Sequence, residues 1–378
     1  MTHFTRTRGI LTLGVALVSA WLTGCAVEDT FRMPPPSPES VRARIAALMP
    51  DSVRERGGWA TDIYDAFTAM KIAPTPANAC AVLAVVEQES TYQVDPVVPN
   101  LAKISREEIF RRADRAGAPE FAVRVALQLK SSNGKTYDDR LAAVRTEHDL
   151  SVIYEDFIGN VPLGKQLFEG WNPVHTAGPM QVSIGFAEQH AKARPYPHPM
   201  PSTLRHEVFT RRGGLYFGIA HLLDYPAPYG EQMLYRFADF NAGRLASRNA
   251  AFQNAVGVAS GRKLDLDGDF VAHNSKSDAP GQTLAATLSL ATALGLSEGD
   301  IRAQLAAGEH SASFDNSTLY ARTFALADRK SGRPLPRALV PRIVLQSPKI
   351  TRRLTTEWFA QRVNERFERC LARSKAAG

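Results

Sequence analysis

Residues 76–90 place the strongest constraint on the fold. Thr75-Pro76 reads as an N-cap followed by a first-turn proline. The run that follows, through ACAVLAVV at 79–86, is apolar on nearly every face. A helix without a polar face must be enclosed by other elements, so this one is expected at the centre of the fold. Two carboxylates, Glu87 and Glu89, stand at its end in EQESTYQVDP at 87–96. Burying an unpaired charge is costly, so acid in this position needs a reason. On a helix the two side chains lie about 200° apart and point to nearly opposite sides, so they cannot act as one pair. Periodicity alone does not choose between them.

The rest of the pattern is also mostly helical. Ser37-Pro38 opens a helix carrying Val41, Ile45 and Leu48, and Trp59, Ile63, Phe67 and Met70 mark a second. Ser105 with Glu108 reads as a capping box. Helices are expected over 121–129, 141–157, 178–191, 214–224, 284–296 and 301–307. KARPYPHPMPS at 192–202 reads as a loop, LDLDGDF at 264–270 as a turn, and 342–345 as a short strand. Thr356 caps a last helix with Trp358, Phe359, Val363, Phe367 and Leu371 on one stripe, which carries Cys370 toward the body of the protein. No internal repeat is present. The fold class is mainly α.

The N-terminus constrains location. Residues 1–25 read MTHFTRTRGILTLGVALVSAWLTGC, with Arg6 and Arg8 ahead of a short apolar stretch. It ends in Leu22-Thr23-Gly24-Cys25, which resembles the lipobox of bacterial lipoproteins. The resemblance implies a signal peptide over 1–24 and lipid on Cys25. Ala26 rather than Asp implies the outer membrane, on its periplasmic face. Residues 25–39 read as a tether, stiffened by three successive prolines. Cys80 and Cys370 then remain in an oxidising compartment, where they are expected to form a disulfide.

The charge is +7, and removing residues 1–24, with two Arg and no acid, leaves +5. That mild excess suits an anionic polymer. No basic block with interleaved aromatics is present, which argues against nucleic acid as a partner.

Four short motifs carry a second resemblance. Glu89-Ser90-Thr91-Tyr92, followed by Asp95-Pro96, looks like the first motif of family one lytic transglycosylases of the lysozyme-like superfamily. Gly178-Pro179-Met180-Gln181-Val182 looks like their Gly-Leu-Met-Gln motif. Gly213-Gly214-Leu215-Tyr216-Phe217, with Leu222 and Leu223, resembles the helix before their third motif. Phe240-Asn241-Ala242-Gly243 looks like their Tyr-Asn-Ala-Gly. The motifs keep the family's order and span about 80–245. The whole chain also looks like an uncharacterised family of bacterial lipoproteins.

The resemblance implies a goose-type, lysozyme-like helical domain at 40–260 with a helical insert at about 100–170, and a C-terminal extension at 261–378 packed on it. It implies Glu89 as the catalytic acid and base, acting on peptidoglycan glycan strands between MurNAc and GlcNAc to give 1,6-anhydro products. Such chemistry needs an acid still protonated near neutral pH. Desolvation by Val82, Val85 and Val86 on the preceding turns would supply that. Ser90 would orient substrate together with the aromatic Tyr92, Met180 and Gln181 would line the cleft, and Asn241 would support its floor. No cofactor or metal is called for, and no protein partner is identified.

Three departures stand out. About 70 extra residues separate the first two motifs. Pro179 replaces a Leu. Phe240 replaces a Tyr whose hydroxyl normally reaches the acid. Asp138, Asp139, Glu147 or Asp149 in the insert could serve a hydrolase as the base for water, which would make the protein a muramidase. A non-catalytic lipoprotein that binds peptidoglycan is the rival from another class. Glu87 is expected to be an ion-pair partner.

Other chemistries fail on inspection. His206-Glu207 lacks a second His at Thr210. In GVASG at 257–261 the Ser falls one place too late for a nucleophile elbow. Asp265, Asp267 and Asp269 are followed by Phe270 where a calcium loop needs Gly, and by Lys276 where it needs Glu.

Overall fold

A computed structural model of the chain describes residues 36–160, 172–200, 202–230, 232–271, 281–345 and 352–376. Residues 1–35, where a signal peptide, a lipidated Cys25 and most of a tether are expected, lie outside the described residues, as does Lys276. Residues 37–378 belong to one compact unit. Among the described residues it is mainly helical, with two short antiparallel strand pairs. No helix among the described residues is long and apolar enough to cross a membrane.

The first three helices are α1 (Pro38–Ala47), α2 (Arg56–Met70) and α3 (Pro76–Glu89). Thr75 caps α3, its hydroxyl oxygen accepting from the Asn78 N–H at 3.1 Å. Residues 79–86 of α3 are all buried, as an apolar surface on every face requires. The enclosing elements come from far along the chain. They include α10 (Arg211–Leu223) and the last helix, α17 (Thr356–Ala376).

Between α3 and α10 lie α4 (Leu101–Arg115), α5 (Glu120–Leu127), α6 (Tyr137–Ala143) and α7 (Glu147–Asn160). The hairpin β1 (Thr176–Ala177) and β2 (Val182–Ser183) follows, then α8 (Ile184–Ala193) and α9 (Leu204–Phe209). Beyond α10 come α11 (Met233–Ala242), α12 (Ala246–Ser260), α13 (Gln282–Leu288), α14 (Ala291–Leu294), α15 (Glu298–Gly308) and α16 (Thr318–Ser331). A short pair, β3 (Val344–Leu345) and β4 (Leu354–Thr355), leads into α17.

Several local expectations are corrected. Ser105 does not open a helix. Asn100 precedes α4, Leu101 is already buried in its first turn, and Ser105 lies inside with its hydroxyl unpartnered. Glu108 instead binds Arg111 and Arg112. The span 141–157 breaks at Val144, because Thr146 bridges to Val97 and caps α7 with Asp149. Residues 178–183 form the hairpin turn and β2 rather than a helix. Gly178 and Gln181 have φ of +73° and +49°, which a helix cannot accommodate. The span 284–296 breaks at Ser289-Leu290 into α13 and α14.

Two hydrophobic cores fill the unit, and they do not divide the chain at residue 260. The first runs from α1 to α11 and includes α17. The second begins in α12, at Ala251, and is closed by α13, α15 and α16. The last helix therefore returns to the first core. Arg248, fully buried in α12, donates to the carbonyls of Gly308 and Ser311 and to Asp315 at 2.7 Å, joining α12 to the end of α15.

Candidate functional site

Glu89 is the last residue of α3. Ser90 closes the helix, its N–H and hydroxyl both donating to the Val86 carbonyl at 3.0 Å. Thr91 and Tyr92 then adopt left-handed conformations with φ of 50° and 60°. Two successive non-glycine residues there are uncommon and turn the chain sharply away. Tyr92 folds back along α3. Its hydroxyl donates to the Leu83 carbonyl at 3.3 Å and its ring meets Trp59 edge-on at 5.7 Å. The turn thus places Glu89 where α3 ends and the chain changes direction.

The two acids part company here. Glu87 lies 3.3 Å from Arg369 and 3.5 Å from Arg366, both on α17. Glu89 makes no hydrogen bond and no ion pair among the described residues, and protein atoms crowd its carboxyl while the residue keeps a partly accessible surface. Desolvation pushes its pKa up from 4.5 to about 7. A carboxyl in that state is neutral through mildly acidic pH and can give up a proton near neutrality.

The motif segments converge on α10. Gly178 approaches the end of α9 and the start of α10 so closely that a Cβ would fall 2.3 Å from the Val208 carbonyl oxygen and 2.9 Å from the Gly214 Cα. At Gly218 a Cβ would overlap Met180, whose side chain is fully buried. Met180 therefore anchors the hairpin to α10 and offers no surface to a ligand. Gln181 is half-buried. Its Oε1 accepts from the Thr176 hydroxyl at 3.0 Å, and its Nε2 donates to the Gly178 carbonyl at 3.3 Å. Gly178→Ala is expected to cost about 1–3 kcal/mol through overpacking and a disfavoured φ, read as a lowered urea midpoint with an unchanged m-value.

Helix α11 also packs on α10, and α3 touches it. Asn241, half-buried at the end of α11, accepts at Oδ1 from the Thr356 hydroxyl at 2.9 Å. Phe240 packs on His221 of α10 at 5.2 Å. Burial, with Arg244 nearby, holds His221 down to about 4, so its ring is neutral.

Asp239 escaped the sequence reading. Its buried carboxylate accepts from the hydroxyls of Tyr229 at 2.8 Å and Tyr225 at 3.0 Å. It also accepts from the backbone N–H groups of Leu245 and Ser247 at 2.9 and 2.7 Å. These bonds fix the turn after Gly243, whose φ is +109°. The only sequence signal was an acid beside Asn241 with two tyrosines a short way upstream.

The acids of the insert are largely committed. Asp138 pairs with Arg106, Asp139 accepts from the hydroxyl of Thr136, the cap of α6, and Asp149 accepts from the N–H groups of Arg145 and Thr146 ahead of α7. His206 lies 3.1 Å from Glu155, while Glu207 is buried against Tyr196 and Arg212. No group of three or more metal-ligating side chains occurs among the described residues.

Comparison with known sequences gives two matches. The family model described as protein of unknown function, DUF1615, matches residues 52–373. The Escherichia coli K12 protein printed as uncharacterized protein YaiW is 56% identical over 331 residues, covering 88% of this chain and 89% of that one. No solved structure matches.

Proposed function

We propose that this chain, which belongs to the DUF1615 family, is a lysozyme-like, lipid-anchored lytic transglycosylase acting on peptidoglycan glycan strands at the outer membrane. The observation that carries this reading is the state of Glu89: a desolvated carboxyl raised to about 7, without a protein partner among the described residues, on a residue that keeps a partly accessible surface. Support also comes from the meeting of the motif segments on α10, and from the ion pairing of Glu87, which leaves Glu89 as the acid.

In this reading the protonated Glu89 donates to the oxygen bridging the two aminosugars. The bond to the MurNAc anomeric carbon breaks as the proton transfers. The resulting Glu89 carboxylate accepts the proton of the same MurNAc C6 hydroxyl, whose oxygen closes onto the anomeric carbon. The product is a 1,6-anhydro ring, the enzyme returns to its starting state, and no water is consumed. One carboxyl serves both steps, so no partner acid is required. Tyr92, Gln181 and Asn241 hold the turns that frame the site.

The test is digestion of purified sacculi with mass analysis of the muropeptides. Anhydro products support the reading. Reducing ends would make the protein a muramidase, and intact strands that sediment with protein would make it a binding lipoprotein.

The pH dependence follows from the acid. Only protonated Glu89 starts the reaction, so kcat/KM is expected to fall above pH about 7, by about tenfold per unit at the limit. A profile flat from pH 6 to 9 would remove Glu89 from the proton-donating role.

A further inference from the structure

We infer that the helical insert holds the acyl chain of an amphiphile, in a site separate from Glu89. Helices α4, α5, α6 and α7, with Pro173, surround a cavity of about 470 Å³. That lies within the roughly 300–1,000 Å³ of small-ligand sites. Ile109, Val123, Leu127, Leu150 and Ile153 are among its walls, and neither Glu89 nor any motif residue is. Walls so apolar offer almost nothing to the hydroxyls of a sugar but suit a hydrocarbon chain.

The charged groups at the wall are paired: Glu108 lines the cavity and binds Arg111 and Arg112. Over the four helices, residues 101–160, ten Lys and Arg balance ten Asp and Glu, so the apolar walls, not the charge, select the ligand.

The outer side of α5 points to the source of the ligand. Ala122, Val123 and Ala126 line the cavity, while Phe121 and Val125 are 70% and 63% exposed on the same helix, and Leu129 just beyond it is 50% exposed. A surface helix normally presents a polar face outward. One that is apolar both toward a cavity and toward solvent suits contact with a lipid surface that supplies the chain.

This inference does not rest on the glycan-cleaving reading. It is tested on residues 37–378, the unit that contains both cores and the disulfide, purified without detergent and checked by circular dichroism. Titration with cis-parinaric acid is expected to give one saturable site per chain, displaced by palmitate. Ala126→Phe on α5 and Ala113→Phe on α4 fill the cavity from different walls, and each is expected to weaken binding at least tenfold. Should either variant fold poorly, a photoreactive diazirine fatty acid on the wild-type protein is expected to label residues of α4 to α7.

Displacement by lyso-phosphatidylglycerol as well as palmitate identifies a membrane lipid as the source. Displacement by palmitate alone identifies a free fatty acid. Either result supports the site. Absence of saturable binding would overturn it, as would binding unchanged in both filled variants or labelling elsewhere. So would a dimer that binds no lipid and is split by Phe121→Ser, since the apolar face would then belong to a second copy.

Discussion

Glu89→Gln is expected to abolish glycan cleavage and at the same time to stabilise the protein at alkaline pH. Gln keeps the size of the side chain but cannot donate a proton to the bridging oxygen. General acid catalysis contributes about 10²–10⁴-fold, so anhydro products should fall below detection in a sacculus digest. The stability effect follows from linkage. The carboxyl has a pKa of about 7 in the folded chain against 4.5 when solvated. The folded state therefore holds the proton more tightly. Stability from this group is complete below pH 4.5, is lost as pH rises toward 7, and stays lost above that. At pH 8 the ionised side chain costs the folded state about 3 kcal/mol, which Gln does not.

Urea unfolding of both proteins at pH 5 and pH 8 measures the difference. The variant should match the wild type at the lower pH and exceed it at the higher. Glu87→Gln supplies the control. Its partner Arg369 is exposed but Arg366 is largely buried, so its loss should cost about 1–3 kcal/mol at any pH where the acid is ionised and leave cleavage intact. Cleavage that survives in Glu89→Gln but vanishes in Glu87→Gln would reverse the assignment of the two acids.

The second large effect is expected at the disulfide. Cys80 of α3 and Cys370 of α17 are bonded, both buried, 290 residues apart in sequence. The bridge closes nearly the whole unit into one loop. The chain-entropy account assigns such a loop a stabilisation of at most about 6 kcal/mol, a large share of the 5–15 kcal/mol typical of whole proteins. The Cys80→Ala/Cys370→Ala protein should therefore unfold at much lower urea. Reductant should bring the wild type to a similar midpoint and leave the double variant unmoved. A loss under 1 kcal/mol would mean that the packing of α17 on α3 and α11 already holds the last helix.

The bridge also bears on the candidate site. Helix α17 supplies both arginines to Glu87, one cysteine to α3 and Thr356 to Asn241. It ties the end of α11 to the helix that ends in Glu89. Helix α17 is thus part of the scaffold behind the site, although its sequence lies more than 100 residues beyond Asn241.

Helices were readable wherever a cap, a stripe and a stop agreed. Thr75-Pro76 ahead of an unbroken apolar run located α3, and Ser37-Pro38 located α1, because these signals act within one turn of the chain. The capping-box pattern at Ser105 misled because such a pair works only in a first turn, and burial of Leu101 starts α4 one turn earlier. The break at Val144 and the hairpin at Gly178 were hidden for a different reason. Each depends on a partner distant in sequence: Val97 in the first case, Val208 and Gly214 in the second.

The site divides along the same line. That one of two acids would be ion-paired was readable, but the identities of Arg366 and Arg369 were not, since nothing local joins residue 87 to 366. The residues that would surround Glu89 could be nominated from motifs. That Met180 lies wholly beneath the surface and that Asp239 ties down the following turn could not. Short-range chemistry of caps, turns and apolar periodicity is written into neighbouring residues and survives in any context. Burial, and with it the proton affinity of Glu89, belongs to atoms that only packing brings near, so it arises once α3, α10 and α17 have closed on one another.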